Sequence, residues 1–289
     1  MNDTFLLNYS VFTLFYYFII YSFMGWCIET IYATINKKEF VNRGFLHGPF
    51  CPVYGFGTLS IIILLKPIEP DYLFLFLGSV LLTSTIEYIT GYILETAFNC
   101  TWWDYRDEPF NLKGRICLHF SVIWGFVSIV ALKIVHPYVI YIVNLLPMKS
   151  FIVIFYIMLL YFFIDFIITV VTIFKLKSLL SQLNIAFSEI TYKLSEFKLI
   201  HENTHDMPEI KVKLEQLIES AEIKMSKKKS DIDHTIIELK IKYNSLIVKR
   251  YPNYLRLIKA FPNLKFKDLD AILKNVKNKV NKDKKIYFL

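Results

Sequence analysis

Five long apolar runs fill the first 174 residues, at about 9–34, 50–66, 71–98, 115–135 and 150–174. A helix needs about 20 apolar residues to cross a hydrocarbon core. Each run therefore predicts a transmembrane helix, the second being the shortest. His136-Pro137 opens a further apolar stretch that closes at Pro147. It is too short to span alone and reads as a helix in or near the membrane interface. Past Phe174 the period changes. Leu176, Leu180, Leu183, Phe187, Ile190, Leu194 and Phe197 are spaced by alternating steps of four and three, which is a heptad seam. The stretch from Glu202 to Pro208 breaks it, and a second helix is expected from Ile210 through Leu214, Leu217, Ile232, Ile236 and Leu239 to Leu246. Pro252 and Pro262 end the regular pattern, before a short amphipathic helix from about Phe266 to Val280. The predicted fold is all-α: a polytopic membrane domain, 1–174, and a helical tail, 175–289. The tail is expected to fold as an antiparallel coiled-coil hairpin, or to self-associate through the same seam.

Within the apolar runs one pattern occurs twice. Gly25-Trp26-Cys27-Ile28-Glu29-Thr30 is echoed by Gly91-Tyr92-Ile93-Leu94-Glu95-Thr96. Each is followed by an asparagine, an arginine and an aromatic-Gly-Phe: Asn42, Arg43 and Tyr54-Gly55-Phe56, then Asn111, Arg115 and Trp124-Gly125-Phe126. Glu29 to Gly55 is 26 positions and Glu95 to Gly125 is 30, so the connecting loops differ in length. The pattern predicts two helical hairpins of the same orientation, a parallel repeat about an axis along the membrane normal.

Composition supports a membrane chain, with 55% hydrophobic and 17% aromatic residues. Charge divides it. Residues 1–174 carry 9 Lys+Arg against 11 Asp+Glu, and residues 175–289 carry 24 against 14. The excess of cations in the tail solvates its outer face or docks it on anionic lipid or an acidic partner. Lys37, Lys38 and Arg43 sit in one loop and Arg106, Lys113 and Arg115 in another, whereas loop 67–70 has none. Five spans with the N-terminus outside and the tail inside put the richer segments in the cytoplasm, as the positive-inside rule requires. No cleavable signal peptide is expected, because no Lys or Arg precedes the first span. Cys27, Cys51, Cys100 and Cys117 form no CxxC pair and read as free thiols.

Ionisable residues at membrane depth are expensive, which makes them functional candidates. Glu29, Glu87 and Glu95 are expected to bind a cation or proton, and Arg43 and Arg115 an anionic group. Glu87, Gly91 and Glu95 share a face of one helix at i, i+4 and i+8. Thr83, Ser84, Thr85 and Thr90 are candidate partners for Glu87. Asp165 is expected to hydrogen-bond between helices. Residues 42–57 hold Gly44, Gly48, Gly55, Gly57, Pro49 and Pro52, too many breakers for a straight helix. Pro49 or Pro52 at a first helical position would leave free N–H groups, beside which Arg43 either holds a phosphate or carboxylate or anchors the topology. Tyr54 belongs to the same structural or gating group. Trp102-Trp103-Asp104-Tyr105 reads as an interfacial aromatic belt, with Asp104 free to accept from Arg43 or Arg115. No phosphate-binding P-loop, HExxH or GxSxG is present, so no NTPase, zinc protease or hydrolase is indicated. No metal, cofactor or nucleic acid is expected.

The segments Phe23–Glu29, Asn42–Leu46, Gly48-Pro49, Pro52–Gly55, Glu87–Gly91, Leu94-Glu95, Trp102–Tyr105, Phe110-Asn111 and Gly114–Ile116 together resemble the bacterial ABC-transporter type IV, or CmpB-type permease, family. The resemblance covers roughly residues 15–130, and Lys259-Ala260-Phe261-Pro262 extends it loosely. It implies a multi-pass permease in a bacterial cell membrane, with a separate ATPase subunit supplying any ATP-driven step. It transfers no catalytic residue. Two other readings stand beside it: a membrane-embedded enzyme acting on lipid or isoprenoid phosphate, and a membrane-anchored scaffold or sensor.

Overall fold

Ser10 and Asp71 start the two long helices that hold Gly25–Thr30 and Gly91–Thr96. Ser10 caps α1 (Val11–Lys37) by accepting from the Thr13 N–H at 3.1 Å. Asp71 caps α3 (Tyr72–Phe98) by accepting from Leu73 and Phe74. Both helices end in a left-handed residue, Lys38 and Asn99. The computed structural model describes residues 9–145, 148–196, 254–274 and 276–277. After α1 comes an irregular loop and then α2 (Pro52–Leu64). A short 3₁₀ turn at Lys66–Ile68 leads into α3. Strands β1 (Cys100–Thr101), β2 (Asn111–Leu112) and β3 (Ile116–Cys117) precede α4 (Leu118–Val130), and β2 and β3 pair antiparallel. Then follow α5 (His136–Asn144), α6 (Met148–Glu196), α7 (Leu255–Ala260) and β4 (Lys265–Phe266).

Among the described residues, four helical stretches are long and apolar enough to cross a bilayer: Val11–Lys37, Tyr72–Phe98, Leu118–Asn144 and Phe151–Glu189. The second expected span is only 13 residues long. At 1.5 Å per residue it is about 20 Å, short of a core of about 30 Å. The stretch 136–147 is not a separate interfacial helix. Pro137 has no N–H to bond the carbonyl four residues back, but a π turn at Ala131–Val135 absorbs the defect. The His136 N–H reaches the Ala131 carbonyl, five residues back, and α4 runs on through α5 as one 27-residue stretch.

The chain forms two compact units, 1–174 with 255–268, and 175–254 with 269–289. In the first, α1 packs on α2 and α3 on α4 as hairpins. Tyr16, Tyr17, Tyr21, Ile62, Leu75, Leu132 and Val139 lie in its buried cluster. Outward faces are bare and apolar, including Phe74, Leu81, Phe126, Ile157 and Phe163. A patch of that extent is what a bilayer covers. Segment 255–268 belongs to this unit too: β4 pairs antiparallel with β1, Cys100 opposite Phe266.

In the second unit, seam residues Leu176, Leu180 and Leu183 are buried and Phe187 is half-buried. The side chains of Ile190 and Leu194, Phe197 and the expected helix 210–246 lie outside the described residues. Residues 270–274 and 276–277 are helical, with Ile272, Leu273 and Val276 buried. Phe266, expected to start that helix, is instead in β4.

Candidate functional site

The two hairpins close on glycines. A Cβ on Gly25 would collide with the Tyr54 ring, and one on Gly55 with Ser22 and Phe18, so α1 and α2 touch backbone to side chain. Gly125 of α4 presses on Phe76 and Val80 of α3 in the same manner. These contacts fix the register. Glu29 lies seven residues past Ser22, and Glu87, not Glu95, lies seven past Val80. The carboxylate at the depth of Glu29 in the second hairpin is thus Glu87. Glu95 is displaced by two turns, about 12 Å along the helix. From Glu87 to Gly125 is 38 positions against 26 from Glu29 to Gly55, the extra residues lying in longer helical arms and in the β2–β3 hairpin.

The expected cluster of three acids accordingly separates. Glu29 accepts from the Tyr54 hydroxyl at 2.6 Å and pairs with Arg43, Nε to Oε2 at 3.3 Å. Glu87 accepts from the Tyr105 hydroxyl at 3.1 Å, and its Oε2 is buried with no hydrogen-bond partner among the described residues. Burial, then the Glu87 carboxylate and more weakly Glu29, push the Tyr105 phenol up, so it stays a donor. Trp124 packs edge-on against Tyr54, with ring centroids 5.5 Å apart. Glu95 instead binds Arg115 through Nη2 at 2.5 Å and Nε at 3.1 Å, and Lys267 at 3.2 Å. Arg115 also donates to Tyr88 and lies over the Tyr88 and Tyr92 rings. Its carboxylate partner raises its pKa further.

Several expected partners differ. Thr83, Ser84 and Thr85 turn back to the carbonyls of Ser79, Val80 and Leu81, the usual way a helix satisfies its own hydroxyls. Ser84 also meets Ser121 across the hairpin. Asp104 binds neither Arg43 nor Arg115 but Lys265 at 2.8 Å, with Arg106 at 3.6 Å. Trp102 and Trp103 are not an interfacial belt. Trp102 is 4% exposed, boxed by Phe45, Phe98 and Phe261. Trp103 gives its indole N–H to the Arg115 carbonyl.

Loop 38–51 is held from three sides. Asn42 accepts from Trp26 and from the Gly44 N–H, and donates to the His47 carbonyl. Asp165 of α6 is 5% exposed and accepts from the backbone N–H groups of His47 (2.9 Å) and Gly48 (2.8 Å). It bonds a loop, not another helix. A Cβ at Gly48 would strike the Tyr161 hydroxyl and come within 2.9 Å of Asp165. From α7, Arg256 donates to the carbonyls of Gly44 (2.9 Å), Phe45 (3.3 Å) and Leu46 (2.9 Å). Burial, then the Arg256 charge, hold His47 below its ordinary pKa, against an opposing pull from Asp165. Its Nδ1 lies 3.0 Å from the Thr169 hydroxyl. Pro49 sits in the irregular part, and Pro52 takes the first helical position of α2.

Segment 255–268 therefore joins both loops. Arg256 and Lys259, which pairs with Glu39 at 3.0 Å, hold the first. Lys265, Lys267 and β4 hold the second. None of these four cations was a sequence candidate. Lys259-Ala260-Phe261-Pro262 was the one signal, and it gave no partner.

No group of His, Cys, Asp or Glu among the described residues is arranged to hold a metal. Glu29 thus has a phenolic donor and an arginine, Glu87 has a phenolic donor and, among the described residues, no arginine partner, and Glu95 has Arg115 and Lys267. The sequence model of the family described as "Putative ABC-transporter type IV" matches residues 16–170. No curated protein and no solved structure matches the chain.

Proposed function

We propose, for a chain that belongs to the ABC-transporter type IV family, that it is the membrane-spanning permease component of a transporter whose ion or solute site lies at Glu29 and Glu87. The reading is supported by the hairpin contacts, which give Glu29 and Glu87 the same offset from Ser22 and Val80, and by one Glu87 oxygen that is buried with no hydrogen-bond partner among the described residues. Carboxylates so placed can bind a proton or a cation, and a buried acid in a membrane helix costs stability. Arg43 and Arg115 already hold Glu29 and Glu95. An anionic group would reach them by displacing these acids, so the arginines act as exchangeable counter-ions. Gly44, Gly48, Pro49, Pro52 and the clamped loop set the position of Arg43.

The N-terminus lies outside and the tail in the cytoplasm of a bacterial cell, on this reading, because the Lys37, Lys38 and Arg43 loop and the Arg106, Lys113 and Arg115 loop then face inward. A separate ATP-hydrolysing subunit is the partner expected at that face, since this chain has no P-loop.

The test is purification of the native complex in mild detergent, identification of its subunits, and measurement of its ATPase in proteoliposomes. An ATPase subunit should co-purify, and Glu29→Gln with Glu87→Gln should abolish the coupled turnover while the complex still assembles. A complex without such a subunit, or an unaltered turnover in the double variant, overturns the reading.

A further inference from the structure

The loop between α3 and α4 ends in a small hairpin built with care. Asn111 pairs with Cys117 and Leu112 with Ile116 across β2 and β3. The Asn111 side chain donates to the carbonyls of Arg106 and Glu108 and accepts from the Gly114 N–H. Phe110 (φ 52°), Lys113 (φ 54°) and Gly114 (φ 68°) are all left-handed. That backbone is ordinary for glycine and an outlier for a bulky aromatic residue. Its effect is to turn an apolar ring outward: Phe110 is 83% exposed, and Leu112 beside it is exposed as well. An outlier of this kind that presents a hydrophobic tip motivates a functional reading.

The tip does not stand alone. Pro109 and Phe110 face Leu118, His119, Val122 and Phe126 of α4 across an apolar groove of about 370 Å³. The groove runs directly into the bare face of the same helix, Val127, Val130 and Ile134, in a stretch long enough to cross a bilayer. Arg106 and Lys113 at the tip are balanced by Asp107 and Glu108. No net charge is left to select an acidic or basic partner.

We propose that this hairpin tip dips into the interfacial layer of the bilayer and that the groove seats an acyl chain of a surrounding phospholipid. Phe110 and Leu112 would then serve as the interfacial anchor that Trp102 and Trp103 do not provide. Apolar side chains at a membrane surface bury to the headgroup–acyl boundary. Continuity with the membrane-crossing face of α4 makes lipid the occupant, and the inference does not depend on what the protein transports.

The test uses the full chain in lipid nanodiscs, with Phe110→Trp, and separately Leu112→Trp, compared with the parent so that Trp26, Trp102, Trp103 and Trp124 cancel. The added emission should be quenched by phosphatidylcholine brominated near the headgroup end of its acyl chains, and should resist aqueous iodide. Quenching by iodide instead, which marks a tip in water, overturns the proposal. So does protection from both quenchers, which marks a tip covered by a second copy or a protein partner.

Discussion

Replacing Arg256 by alanine should open loop 38–51 while leaving the membrane helices intact. The guanidinium makes two bonds of 2.9 Å, to Gly44 and Leu46, and a longer one of 3.3 Å to Phe45. A hydrogen bond to a charged group contributes about 1.5–3 kcal/mol. Taking the low end for the two short bonds, because the side chain is not fully buried, and neglecting the third gives about 3 kcal/mol. The reporter is Cys51, buried at the α2 end of the loop with its thiol pushed up to about 12, chiefly by burial and then by Glu29. The Phe45 backbone hydrogen-bonds that thiol, so the reporter touches the clamped segment directly. At 1.4 kcal/mol per tenfold, 3 kcal/mol of local opening raises maleimide labelling of Cys51 about 100-fold, followed by peptide mass spectrometry to separate it from half-buried Cys27. Arg256→Lys should recover only part, since one ammonium cannot span three carbonyls. Asp165→Asn should act on the same loop from its N–H side and combine non-additively with Arg256→Ala. Unchanged labelling of Cys51 in Arg256→Ala would falsify the clamp.

Gly48→Ala should lower the unfolding midpoint by overpacking of about 1–3 kcal/mol, and Tyr161→Phe should partly rescue it by removing the hydroxyl the new methyl meets. Tyr105→Phe should cost about 1–3 kcal/mol by leaving Glu87 without its donor, whereas Tyr105→Phe with Glu87→Leu should lose less in the same thermal assay. Asp104 is raised by burial but pulled net below its ordinary pKa by Lys265 and Arg106. The stabilisation it gives to β4 is therefore full above the unfolded carboxylate value of about 3.9 and fades as pH falls through the lower folded one. Amide exchange at Lys265 and Phe266 should show this loosening only in strong acid, and Asp104→Asn should remove it; loosening between pH 5 and 7 would contradict the assignment.

The membrane class was legible because run length is local in sequence; the arginines, expected to hold an anionic group from outside the chain, instead pair with Glu29 and Glu95. The register of the hairpins was not legible. Matching the two motifs aligns Glu29 with Glu95, yet contact is set by where Gly55 and Gly125 meet the facing helix, and this selects Glu87. Pro137 read as an end of span because a proline costs a helix one hydrogen bond; a π turn that spreads the cost has no sequence mark of its own. Asp165 was expected to look for a side chain and found two backbone N–H groups, which every residue carries and no pattern advertises. Arg256 acts on carbonyls more than two hundred positions away.

The membrane unit is built from two separate stretches of chain, residues up to Phe174 and then Leu255–Asp268. A stop codon after Phe174 would therefore cut away more than an appendage. It would also strip β1 of its partner strand, the two loops of Arg256, Lys259, Lys265 and Lys267, and Trp102 of Phe261. Separating the two units calls for bridging Phe174 to Leu255 with a flexible linker and ending the chain after Asp268, so that Leu255–Asp268 stays in place.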